Sequence, residues 1–104
     1  MTPSARLSAV VELLIINFEV NGRAEQAVST YFKNRRFAGS KDRRWITEQL
    51  YLILRRLGEL DWVAAQVDLE PTARTRACLS LLVFNDISAV DLAKSYFEGT
   101  HAQT

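Results

Sequence analysis

The chain has 104 residues, 48% of them apolar, with a formal net charge of +1; that is one domain with enough core to stand without disulfides or a structural metal. Its single cysteine, Cys78, excludes an intrachain disulfide framework and fits a reducing, cytoplasmic setting. The most apolar run, Leu13-Leu14-Ile15-Ile16, is bounded by Glu12 and Asn17, far short of the ~20 residues that span a membrane, and the first residues lack the pattern of a secretory signal.

The pattern predicts helices throughout, punctuated by four glycines and two prolines. The first helix starts near Thr2, with Pro3 suited to the first helical position. Leu7, Val10, Val11, Leu14 and Phe18 recur at helical spacing, and Asn21-Gly22 ends the helix. A second helix runs from about Ala24 to Asn34, with Ala27, Val28, Tyr31 and Phe32 on one side. A loop covers Arg35 to Gly39. Ser40 is placed to cap the third helix, its hydroxyl accepting an orphan amide, and Asp42 in the first turn suits the positive end of the dipole. Ile46, Leu50, Ile53, Leu54 and Leu57 form the main buried stripe, and Gly58 stops the helix. A short fourth helix covers about Glu59 to Val67. Pro71 opens a fifth, ending near Asn85. Ser88 and Asp91 make a capping-box-like pair for the sixth, with Ile87 and Leu92 placed as a hydrophobic staple. Gly99 ends it, and residues 100–104 read as a frayed polar tail.

Two helices carry more apolar faces than a small bundle needs. Trp45 and Leu52 lie roughly opposite the stripe of the third helix, and the fifth is apolar on every side. Such helices are central or cover a partner. The third is therefore expected between two helical halves. The fifth is expected either to pack inside the second half or to form a homodimer through Leu79, Leu82 and Val83.

The net charge hides an uneven distribution. Residues 33–56 hold eight cations against Asp42 and Glu48, a local +6, so the remainder carries −5. Lys33, Arg35, Arg36, Lys41 and Arg44 flank the turn between the second and third helices. They are candidates for RNA phosphates, with the N-terminal amides of the third helix adding donors; a merely solvated loop is the competing reading. Phe37 is placed either to stack on an unpaired base or, the preferred reading, to plug the turn. Arg43, three before Ile46, is expected to pack its stem along the stripe and bridge loop carbonyls or an acid. Arg44 and Glu48, four apart, can pair on the surface. Arg55 and Arg56 suit a helix C-terminus. His101 and Cys78 make no metal site. No nucleophile, base and orienter occur together, and there is no glycine-rich strand-to-helix loop; no cofactor and no enzymatic activity are expected of this chain.

Arg6, Ala9, Leu13 and Leu14 in the first helix, the turn Gly39-Ser40, the pair Asp42-Arg43, and Leu50-Tyr51-Leu52-Ile53-Leu54-Arg55 resemble the N-terminal, NusB-like domain of the Fmu/Sun/RsmB family of 16S rRNA cytosine-C5 methyltransferases. The likeness covers most of the chain and is sharpest over residues 36–55. It implies an all-α domain of about six helices in two small packed bundles, with Ser40, Asp42 and Arg43 as a structural signature. It further implies that residues 1–104 are the N-terminal part, or a truncated form, of a longer methyltransferase. The family's two catalytic cysteines lie in Pro-Cys and Thr-Cys motifs of a separate domain; here Cys78 sits between Ala77 and Leu79. The expected function is thus a non-catalytic RNA-binding module that presents 16S rRNA to a methyltransferase domain in cis or in trans. The alternative is a helical protein-interaction domain, acting as a standalone NusB-type transcription or ribosome-assembly factor or as a dimer.

Overall fold

The hydroxyl of Thr2 accepts the Ala5 amide at 3.1 Å, and its carbonyl accepts the Arg6 amide at 3.0 Å. This puts Pro3 at the first helical position, where its missing N–H is no loss. The computed structural model describes residues 1–19, 23–35 and 39–96. They form six helices: α1 (Pro3–Glu19), α2 (Ala24–Lys33), α3 (Ser40–Arg55), α4 (Leu57–Gln66), α5 (Ala73–Phe84) and α6 (Ala89–Tyr96). The fold is all-α.

The helices α1, α2 and α3 pack mutually as one bundle. In the second half α5 carries both α4 and α6, which do not meet among the described residues. The halves join where α1 and α3 lie on α5, and α6 also reaches α1. Leu7, Leu13 and Leu14 of α1, Ile46, Leu50 and Ile53 of α3, Leu60 of α4 and Leu81 of α5 are sealed from solvent in one continuous core. The apolar girth of α3 is explained by its place between the halves, and α1 and α5 share that role. On α5, Ala77, Leu79, Ser80 and Leu81 are buried, while Cys78, Leu82 and Phe84 are partly so. Leu79 and Leu82 are therefore consumed inside one chain; of the residues expected to carry a dimer, only Val83 stays exposed. Trp45 is half-buried against the core, and Leu52 is half-buried too.

Several boundaries differ from the sequence expectation, each for a local reason. Gly39, not Ser40, caps α3: its backbone is extended, and its carbonyl accepts the Arg43 amide at 3.0 Å. Ser40 is already helical. Gly58 does not stop α3. The break falls at Arg56, whose amide still bonds to Leu52 and Ile53 while its carbonyl already accepts from Leu60, so α3 and α4 are separated by one residue and Gly58 lies in the first turn of α4. Pro71 precedes the cap of α5 rather than opening the helix; Thr72 caps it, its hydroxyl accepting the Thr75 amide at 3.1 Å. Ser88 caps α6 as expected, accepting the Asp91 amide at 3.1 Å, and Leu92 is buried with Ile87 packed on the core. Phe18 is exposed on α1, with the Arg76 guanidinium 5.0 Å from its ring centroid. The expected helix ends at Asn21-Gly22 and at Gly99 lie outside the described residues.

Candidate nucleic-acid interface

The bundle of α1–α3 splits the predicted basic cluster. Residues four apart on α2, Val28 and Phe32, together with Ser29 and Lys33, face Arg43, Arg44, Thr47 and Glu48 of α3. They line an open groove of about 550 Å³. Its apolar floor is Phe32 and half-buried Val28, and its cations are Lys33, Arg43 and Arg44. The Arg44 Nε donates to Glu48 Oε1 at 3.0 Å, an exposed pair of the kind expected from their spacing. Such a pair is worth about 0.3–0.5 kcal/mol and yields readily to a phosphate. Lys41 is exposed in the first turn of α3 but does not line the groove.

Arg35 faces the other way, toward α1. Its guanidinium lies 4.0 Å from the centroid of the Tyr31 ring. It approaches Glu12 at 3.6 Å and the Tyr31 carbonyl at 3.5 Å. Tyr31 itself donates to Glu12 Oε2 at 2.8 Å. Burial, and then that bond to Glu12, push its phenol well above the usual range. Arg35 is thus engaged within the chain, and the five-residue cluster is not one patch. Arg36 and Phe37 lie outside the described residues.

Arg43 also departs from expectation. It is exposed, with its guanidinium 5.7 Å from the Phe32 ring centroid, over the groove and not along the stripe. The buried line of α3 runs through Asp42, Ile46, Gln49, Leu50 and Ile53. Asp42, four before Ile46 and seven before Gln49, lies on that line; Arg43 lies beside it. Asp42 accepts from Arg6 Nε at 2.6 Å and sits 3.4 Å from the Met1 amine. The Arg6 hydrogen bond is the main reason its carboxyl is held below the ordinary carboxylate range. Arg6 also lies 5.6 Å from the Trp45 ring centroid. Asp42 therefore ties the start of α1 to the start of α3, a role beyond a helix-start device.

No family model, curated protein or solved structure matches this chain.

Chemistry elsewhere on the surface is sparse. Among the described residues no group of His, Cys, Asp and Glu could hold a metal ion, and no helix is long and apolar enough to cross a membrane. Burial pushes the Cys78 thiol up, so it stays protonated at neutral pH and is a poor nucleophile. Arg76 clasps Asp61 with two bonds of 2.9 Å, joining α5 to α4 and holding the Asp61 carboxyl below its usual range. On the far half, Gly58, Leu60, Trp62 and Val63 of α4 form a shallow, mostly apolar groove with Val83 and Phe84 of α5, with Glu59 also in its lining. Trp62 is 65% exposed there. The helical phase of Leu60 and Ala64, which take the buried side of α4, puts Trp62 on its open side.

Proposed function

We propose that this chain is a non-catalytic RNA-binding module that uses the α2–α3 groove to hold a phosphate backbone. The observation that carries the reading is the convergence of Lys33, Arg43 and Arg44 around the Phe32 and Val28 floor, with Lys41 exposed nearby in sequence. Cations on neighbouring helices supply the salt-dependent part of RNA affinity, and an aromatic floor supports an unstacked base. The resemblance to the NusB-like domain of the Fmu/Sun/RsmB methyltransferases supplies the partner: 16S rRNA, presented to a methyltransferase domain in cis or in trans.

The test is a titration of a 16S rRNA fragment at several salt concentrations. Binding is expected to weaken as salt rises. Replacing Lys33, Arg43 and Arg44, the three cations that line the groove, with Glu is expected to lower affinity by about tenfold or more and to flatten the salt slope by roughly three counterions. Unchanged affinity in the folded triple variant removes the groove from RNA binding.

A second reading rests on Trp62. An apolar groove with a largely exposed indole fits a protein contact, and buried Trp is a frequent anchor of such contacts. A second copy of this chain is the occupant that the low net charge of +1 favours, since little electrostatic repulsion opposes association.

A further inference from the structure

Between α1 and α2, on the Arg35 side, lies a second hollow of about 350 Å³, within the size range of small-ligand sites. Ile16, Ala27 and the Tyr31 ring form its buried and half-buried wall. Gln26, Thr30, Asn34, Arg23 and Arg35 complete it. Among the described residues no acidic side chain lines it.

Three features define what would fit. First, the Arg35 guanidinium is already stacked 4.0 Å from the Tyr31 ring centroid, which presents a planar cationic surface of the type on which bases stack. Second, the amides of Gln26 and Asn34 and the hydroxyl of Thr30 offer donors and acceptors together. That mixture matches the edge of a heterocycle better than a bare anion or an alkyl chain. Third, Glu12 offsets the charge of Arg35 from the α1 side, whereas the Arg23 side chain has no ion-pair partner among the described residues. Arg23 is the group left for a phosphate, and an arginine fork suits it.

We propose that the α1–α2 hollow binds a nucleoside monophosphate unit, either free or as an unpaired residue of RNA, with the base on the Tyr31–Arg35 wall and the phosphate on Arg23. For the RNA source the proposal rests on the function argued above; for the free nucleotide it does not.

The test uses the full chain, labelled for amide NMR, titrated separately with AMP, GMP, CMP, UMP, inorganic phosphate and an unstructured RNA oligomer. Saturable shifts of the Gln26, Ala27, Thr30 and Asn34 amides are expected with at least one nucleotide and not with phosphate alone. Thr30→Trp, at an exposed position where a larger side chain obstructs the hollow, and Arg23→Glu, which removes one charge-assisted contact, are each expected to weaken that binding roughly tenfold or more. Lys94→Glu, at an exposed position of α6 that lines neither groove, should leave monophosphate binding unchanged. Shifts of the same amides with the RNA oligomer identify RNA as the source. Nucleotide shifts without RNA shifts support a free-nucleotide site. Silence of these amides to every nucleotide overturns the proposal, even where RNA binds through the α2–α3 groove. Equal shifts with inorganic phosphate, or unchanged binding in both folded hollow variants, overturn it too.

Discussion

Asp42 shows how much one side chain decides. A carboxylate on the buried line of a helix is costly without partners, and Asp42 is tolerated because Arg6 and the Met1 amine meet it. Asp42→Asn keeps the shape and removes the charge. The variant is expected to lose about 1.5–3 kcal/mol, the range for a hydrogen bond to a charged group, in urea denaturation at neutral pH. The pH dependence follows from the lowered carboxyl pKa. The stabilisation is present in full above the unfolded value of about 4 and is lost as pH falls through the depressed folded value. The gap between wild type and D42N should therefore close in acid. A gap that stays constant from neutral pH down to strongly acidic conditions would mean that the Arg6 pair contributes nothing. The stripe was expected to take Arg43 and not Asp42, and of the Asp42–Arg6 pair only the identities were legible in the sequence. Their pairing was not, because 36 positions separate them along the chain and only the packing of α1 on α3 brings them together.

At the scale of elements, the junction of α3 and α4 holds a glycine that the fold does not need. Gly58 sits in a helical turn, and a Cβ built there would meet no heavy atom within 4 Å. Gly58→Ala is expected to raise stability by about 0.5–1 kcal/mol through helix propensity and a less flexible unfolded chain. A fall in melting temperature would show that Gly58 is required after all. Leu60, two residues on, is sealed in the core, and Leu60→Ala should cost about 2–5 kcal/mol. The left-handed positions that glycine usually takes at helix ends are filled here by aspartates. Asp68 (φ 56°) and Asp86 (φ 54°) follow α4 and α5. After α4 the Leu69 amide donates to Ala64 and the Asp68 amide to Ala65, which is the pairing of a Schellman motif. Helix interiors were readable from periodicity, and so were the starts at Pro3 and Ser88; the starts of α3 and α5 and the α3–α4 break were not, because capping and turn hydrogen bonds set them at Gly39, Thr72 and Arg56.

At the scale of the molecule, the surplus of apolar residues is mostly internal. The packing of α1, α3 and α5 on one another accounts for Leu79, Leu82 and Trp45, and it leaves Trp62 and Val83 (43% exposed) outside. If the second reading of function holds, the chain associates in a concentration-dependent way that Trp62→Glu abolishes and that light scattering follows. Monomer at high concentration in the wild type would leave the α4–α5 groove without a second copy as its occupant. The sequence by itself determined the class of fold, the number of helices and most of the buried faces, because helical periodicity and apolar phase are local properties. It also located the concentration of positive charge, since charge is carried by residue type. Only the tertiary structure decided which cations share a surface. Lys33, Arg43 and Arg44 meet across α2 and α3, while Arg35 turns to Tyr31 and Glu12. Lys33 at the end of α2 and Arg35 just past its cap face different partner helices, because a side chain's direction depends on the local backbone and on which helix lies against it.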